Sequence, residues 1–295
     1  MQESIAAVGF VGLGVMGEPM CINLTCKGDV PVHVFDLDAQ AVNRLQAQGA
    51  HGCGSLAELA AGVDVVFLSL PGIDQVEKVC LGKGGLTETP GRLKLIVDTS
   101  TSDVERSRSL ARTLRDKGIG FVDAPVARSR EAARQGTLMI SVGSTPEEFA
   151  TLNPLLGSMG TDVLHCGPVG CGQVIKIMNN MVVLMTVNAL AEALAIGRRA
   201  GVEPALLFDA LSKGSADSFV LRVPGMSSLL PDEFPVKTFP VDYALKDIRL
   251  ALELAASGGI DAISAQTTAA LLERASAAGH GDAYYPVMIK LIERR

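Results

Sequence analysis

Gly12-Leu13-Gly14-Val15-Met16-Gly17 decides the fold, because of what stands on either side of it. Residues 6–11 are a short continuous apolar run, the pattern of a strand covered on both faces, and residues 16–27 read as a helix. A G-x-G-x-x-G turn between strand and helix gives each glycine a task. Gly12 permits the tight turn, Gly14 lets a pyrophosphate approach the backbone, and Gly17 lets helix and strand pack closely. The helix N-terminus adds amide donors and the positive end of its dipole. Leu13, Val15 and Met16 complete the turn and are expected beside the same ligand, a dinucleotide.

The same strand and helix alternation continues along the first half. Apolar runs at 32–35, 65–70, 95–98 and 120–123 read as strands, with helical stretches at 39–48 and 104–117 and a further strand candidate near 138–142. This order predicts an α/β domain built on a parallel, doubly wound sheet of the Rossmann type, over residues 1–169. Beyond about Gly170 the period changes: 174–200, 204–212, 242–257 and 262–278 are helical, with Gly201, Gly214, Gly258 and Gly279 as stops. The second half, 170–295, is expected to be all-α. No Gly/Ser or Pro linker separates the halves, so a long helix beginning near Gln173 is expected to join them.

The second strand ends in Asp36, 24 residues after Gly12. A carboxylate there accepts hydrogen bonds from the adenosine ribose hydroxyls and repels a 2′-phosphate, so NAD(H) is expected in preference to NADP(H). The competing role, capping the next helix, is available to Asp38 instead. Leu70-Pro71 and Ser100-Thr101 follow the next two long strands, and ligands of such sheets lie at the carboxyl ends of strands, so these four are assigned to the nicotinamide half.

Composition excludes some partners. A net charge of −6 without any Lys/Arg run leaves no concentrated basic face for nucleic acid or an anionic membrane. Six cysteines show no CxxC pairing and no Cys/His cluster, so neither disulfides nor a metal are expected. The start of the chain does not read as a secretory leader, and the expected location is cytoplasmic. Residues 174–195 are apolar enough to resemble a membrane span, but Lys176, Asn179, Asn180, Asn188 and Glu192 make a buried helix of a water-soluble protein the better reading.

Lys176 and Asn180 are four apart at the start of that helix and share a face. Desolvation lowers a lysine pKa, which suits a group that takes the hydroxyl proton of an alcohol as hydride leaves carbon, and returns it in reverse. The residues alone equally describe a lysine that lays its stem along apolar surface beside a helix-entry asparagine. Lys246-Asp247, in a stretch of helical spacing, reads by itself as a solvated helix face.

Together the glycine turn, Asp123-Ala-Pro-Val126, the GxGxxxKxxxN pattern from Gly170 to Asn180, and Lys246-Asp247 resemble the β-hydroxyacid dehydrogenase family. The resemblance implies a Rossmann domain joined by a long helix to a helical domain, subunits often paired as a homodimer or homotetramer, and an active site in the cleft. It implies Lys176 as acid/base, Asn180 as a catalytic substrate ligand, Lys246 near nicotinamide and substrate, and a small anionic hydroxylated substrate. One departure stands out. Where the family continues Ser-Gly-Gly after Asp-Ala-Pro-Val, this chain has Ala127-Arg128-Ser129. Two lost glycines weaken a bare backbone cradle for the substrate anion, while a guanidinium adds several donors for it. The loop is most similar to the sulfolactaldehyde reductase branch, with Gly-Arg-Thr at these positions and the same Gly136-Thr137-Leu138 afterwards. The alternative for Arg128 is an exposed ion pair with Glu131 or another surface acid. Phe239 stands where the family often has an aromatic near the cleft, and equally fits a core position. Two other functions compete: imine reduction on the same scaffold, which usually lacks this lysine, and a non-catalytic dinucleotide-binding protein.

Overall fold

The computed structural model describes residues 5–88, 91–236 and 238–293. Two compact units emerge, 1–176 and 177–295. The division falls inside a long helix, about a turn past its start.

In the first unit, β1 (Val8–Val11), α1 (Gly17–Lys27), β2 (Val32–Phe35), α2 (Ala39–Gln46), β3 (His51–Gly52), α3 (Leu56–Gly62), β4 (Val65–Leu68), α4 (Ile73–Leu81), β5 (Leu95–Asp98), α5 (Val104–Arg115) and β6 (Gly120–Asp123) alternate as expected. They are followed by β7 (Val126–Ala127), α6 (Arg130–Gln135), β8 (Leu138–Gly143), α7 (Pro146–Gly157) and β9 (Gly160–Gly167). The sheet runs β3-β2-β1-β4-β5-β6-β8-β7, with β9 on β8. Pairing is parallel from β3 to β6, in register Val8↔Val32, Val8↔Val65, Val65↔Leu95 and Leu95↔Gly120. At β8 the direction reverses: β8 is antiparallel to β6 and β7, while β9 lies parallel to it. The parallel reading therefore holds for the dinucleotide half and gives way to a mixed sheet beyond Asp123, because a short loop joins β7 to α6 and turns the chain back. β9 was not evident from sequence; it is half-exposed at the edge and carries polar residues such as Thr161, Asp162 and His165.

Every residue of β1, β4 and β5 is buried, which fits strands with helices on both faces. Alternate side chains feed two cores. Val8, Phe10, Val65 and Phe67 pack with Leu24, Leu45 and Leu152 on one face; Val11, Val66, Leu68 and Ile96 pack with Leu59, Val76 and Leu114 on the other. Phe10 and Phe67 stack with ring centroids 6.1 Å apart. Each such fully buried side chain contributes roughly 1.5–3 kcal/mol. Local signals set the helix starts: Asp38, Ser55, Asp103 and Ser129 cap α2, α3, α5 and α6, and Thr145 with Glu148 forms a reciprocal capping box on α7.

The second unit is helical: most of α8 (Cys171–Arg199), then α9 (Pro204–Lys213), a π-helical stretch Leu221–Leu229, α10 (Val241–Ser257) and α11 (Ile263–Ala275). Its core joins Leu184, Val187 and Leu194 of α8 to Phe208, Ala244, Ile248, Ala269, Leu272 and Tyr285. By length and composition α8 could cross a membrane, but half of its most apolar window is buried inside the protein, as in a core helix.

Candidate active site

Strand order reverses between β1 and β4, and the loops that follow these two strands meet there. Gly12 has φ +93°, and a Cβ on it would lie 2.2 Å from the carbonyl oxygen of Ser69, so both backbone conformation and space demand glycine. A Cβ on Gly17 would lie 1.9 Å from the Gly12 carbonyl oxygen. Gly14 differs: a Cβ there meets nothing within 4 Å. Its lack of a side chain serves no internal packing and leaves open the space in which a pyrophosphate would approach. That combination fits a dinucleotide. The Leu13 side chain is buried, Val15 is exposed and Met16 is half-buried at the helix entry.

Asp36 is tied to this turn. Its Oδ2 accepts the Leu13 N–H at 2.5 Å and its Oδ1 the Asp38 N–H at 2.7 Å. Asp38 caps α2 by accepting the Gln40 N–H at 2.9 Å, so the capping role belongs to Asp38. A carboxylate has about four acceptor positions, so Asp36 keeps capacity for ribose hydroxyls. Leu37 beside it is 95% exposed.

At the tips of β5 and β6, two fully buried carboxylates organise a network that sequence reading did not identify. Asp98 accepts the Ser100 N–H at 2.9 Å and the Ser102 hydroxyl at 2.8 Å. Ser100 Oγ accepts the Leu70 N–H at 2.9 Å, joining the β4 and β5 tips. Asp123 accepts the Gly170 N–H at 2.7 Å and the Gln173 N–H at 2.8 Å, acting as the N-cap of α8 from a distant strand. Buried Gln173 accepts the Ser102 N–H through Oε1 at 3.0 Å and donates through Nε2 to the Ser100 carbonyl at 2.8 Å. Burial pushes the Asp123 carboxyl up to about 6, against the opposing pull of the Gly170 and Gln173 amides. The signal that could have exposed this network is an aspartate ending each of two neighbouring parallel strands, paired Asp98↔Asp123 in register. Half-buried Lys176 follows Gln173 by three residues, and half-buried Thr101 and exposed Pro71 border the same strand tips. Ser100 is thus a structural link as well as a member of the expected cofactor set.

The substrate-loop candidates lie on β7 and just after it. Ala127 is buried in β7, and Ser129 caps α6 by accepting the Ala132 N–H at 3.3 Å. Arg128 adopts φ +88°, the left-handed region that favours glycine, where the family pattern has glycine. The Arg128 guanidinium donates to the Thr137 carbonyl at 2.7 Å and to Thr161 Oγ1 at 3.1 Å, and pairs with Asp162 at 2.7 Å. An acid partner was expected from sequence as one option; Asp162 on β9, not Glu131, supplies it.

In the second unit, buried Asn180 donates to Asp247 Oδ2 at 2.6 Å and accepts from Asn179 Nδ2 at 3.1 Å. Lys246 Nζ lies 3.2 Å from Asp247 Oδ1, within ion-pair range though off the hydrogen-bonding angle, and 5.4 Å from the Tyr243 ring centre. Lys246-Asp247 is thus more than a solvated face: Asp247 is buried and orients the Asn180 amide. Phe239 meets the Tyr285 ring edge-on at 5.3 Å and packs against the helical core. Among the described residues no cluster of three or more His, Cys, Asp or Glu could hold a metal.

Residues 7–167 match the NAD binding domain of 6-phosphogluconate dehydrogenase, and residues 170–292 match the family described as NAD-binding of NADP-dependent 3-hydroxyisobutyrate dehydrogenase. The chain is 34% identical to 2-(hydroxymethyl)glutarate dehydrogenase of Eubacterium barkeri, across 100% of this chain and 97% of that protein. It is 38% identical to 3-hydroxyisobutyrate dehydrogenase of Pseudomonas aeruginosa, across 83% and 84% of the two. The solved structure of Mycobacterium tuberculosis 3-hydroxyisobutyrate dehydrogenase with L-serine superposes with a TM-score of 0.85 at 28% identity, covering 98% of this chain and 99% of that one. These matches span the glycine turn, the capped start of α8 and the helical half alike, and by them the chain belongs to the β-hydroxyacid dehydrogenase family.

Proposed function

We propose that the protein interconverts a short-chain β-hydroxyacid and its aldehyde or semialdehyde with NAD(H), Lys176 acting as general acid/base. The observation that carries this reading is the place of Lys176. It stands one turn beyond the point where Asp123 and Gln173 fasten α8 to the strand tips that dinucleotide-binding sheets use for their ligands. Bound nicotinamide supplies the acceptor or donor of the hydride. In oxidation, Lys176 Nζ takes the proton from the substrate hydroxyl oxygen; in reduction it returns that proton to the aldehyde oxygen. Retention of this lysine speaks against imine reduction and against a scaffold without chemistry. Asn180, oriented by Asp247, is assigned to the substrate oxygen, and Lys246 to the neighbourhood of substrate and nicotinamide. An NAD(H)-linked screen of 3-hydroxyisobutyrate, glycerate, serine, 4-hydroxybutyrate and dihydroxypropanesulfonate with their aldehydes tests the class; no turnover on any of them would remove it.

Preference for NAD(H) rests on Asp36 beside the glycine turn and on the second carboxylate at Asp38. Asp36→Ser is expected to lower the NADPH dissociation constant at least fivefold relative to that of NADH, measured by nicotinamide fluorescence. An unchanged ratio takes Asp36 out of the ribose site.

Arg128 is assigned to the substrate anion, carboxylate or sulfonate. Its ion pair with Asp162 is exposed, 43% and 50% on the two side chains, and such pairs contribute at most about 1 kcal/mol. A substrate anion can therefore take the guanidinium from Asp162. Arg128→Ala is expected to raise the substrate KM about tenfold with little change in NADH affinity, and Asp162→Asn to lower KM severalfold by removing the competing carboxylate. Unaltered KM in both variants makes Arg128 a loop fastener only.

Pairing of two copies is assigned to α8. Val182, Ala189 and Ile196 recur every seven residues, with Met178 a turn before the first and Met185 between the first two, and Val182 and Ile196 are 52% and 68% exposed. A seven-residue repeat presents one seam to another helix, and a second copy of α8 offers the same seam in return. Light scattering is expected to give at least a dimer, and Val182→Glu with Ile196→Glu to give a monomer; a monomeric wild type ends the assignment.

A further inference from the structure

We propose that Gln173 and Asp123 are positioning residues for proton transfer: they lock the first turn of α8 to the β5 and β6 tips and so fix where Lys176 presents its amine. This rests on the reading of Lys176 as acid/base. Four buried hydrogen bonds make the lock, two to the Asp123 carboxylate from the Gly170 and Gln173 amides and two between the Gln173 side chain and the backbone of Ser100 and Ser102. Contact around it is tight. A Cβ on Gly172 would lie 2.3 Å from the Ser141 carbonyl oxygen and 2.8 Å from Asp123 Oδ2, so the helix start presses directly on the sheet.

The Gln173 amide is matched on both sides by fixed backbone groups that no helix cap requires. Ser102, which donates to it, is itself held through its hydroxyl by Asp98, so the anchor point is rigid from the strand outward. Lys176 follows by three residues, about 4.5 Å along the helix axis at the usual rise. Over so short a rigid lever, a loosened anchor moves the amine by a comparable amount. Misplacement of a reacting group by about 1 Å can lower a rate by as much as about 10²-fold.

Gln173→Met keeps the side-chain volume and removes both amide bonds, while Gln173→Asn keeps the amide but falls one methylene short. Both are expected to lower kcat 10- to 100-fold and to raise the solvent isotope effect on kcat, with the NADH dissociation constant within twofold of wild type as the check on folding. A residue that acts through Lys176 loses its effect when the lysine is gone, so adding Gln173→Met to Lys176→Ala is expected to change the residual rate by less than twofold. Wild-type kcat in both Gln173 variants overturns the proposal, as does a double variant whose losses multiply. Wild-type turnover in Lys176→Ala alone would instead remove the acid/base reading on which the proposal stands.

Discussion

Lys176→Ala is expected to lower kcat for the best hydroxyacid substrate by about 10²- to 10⁴-fold, the usual contribution of a positioned general acid/base. The NADH dissociation constant is expected to stay within a factor of two, because the dinucleotide turn, Asp36 and the β4 tip are held by bonds that do not involve this residue. Helical structure is expected to survive as well, since Asp123 caps α8 through the backbone and alanine is the best helix former. Steady-state kinetics and nicotinamide fluorescence on the same sample check both halves of the result. A lysine that merely lays its stem along apolar surface would leave turnover near wild type, and that outcome would return Lys176 to a packing role.

Gly12→Ala and Gly14→Ala are expected to part company, because the two glycines of the motif serve different ends. At Gly12 an added Cβ meets the Ser69 carbonyl oxygen at 2.2 Å, in a backbone conformation with φ +93°. Strain of that kind costs roughly 1–2 kcal/mol before the steric overlap is counted, and the overlap forces the β1 and β4 loops apart. Gly12→Ala is therefore expected to lower the melting temperature by several degrees and to weaken NADH binding more than 10-fold. At Gly14 the Cβ enters open space. Gly14→Ala is expected to leave the melting temperature within about a degree while still weakening NADH binding, because the methyl group fills the approach to the pyrophosphate. Thermal unfolding beside fluorescence titration separates the cases, and NADH affinity at the wild-type level in Gly14→Ala would show that no pyrophosphate approaches there.

The first half of the fold was legible because its signals are local. Continuous apolar runs such as Val65–Leu68 mark buried strands, the glycine turn marks the strand-to-helix junction, and Asp38 announces the start of α2. The second half was legible through its 3.6-residue period and its terminal glycines. Polar edges and reversals were harder. β9 alternates little and carries Asp162 and His165 toward solvent, so its strand character comes from pairing with β8 rather than from its own residues. The sequence pattern starts the long helix near Gln173, and α8 begins at Cys171, because its cap is a carboxylate 47 residues away in sequence.

Within the site, the sequence by itself determined which residue types are present: the three glycines of the turn, an acid at Asp36, a lysine at the mouth of an apolar helix, and an arginine in a loop where the family has glycine. Those properties follow from chemistry and short-range spacing, which the linear order preserves. Only the tertiary structure decided what those groups bond to. It gave Asp36 to the Leu13 amide, Arg128 to Asp162, Asn180 to Asp247, and the first turn of α8 to Asp123, Ser100 and Ser102. A buried or half-buried polar group takes whichever partner the fold brings within about 3 Å, and that choice depends on strand order and register across tens of residues, which no local pattern encodes.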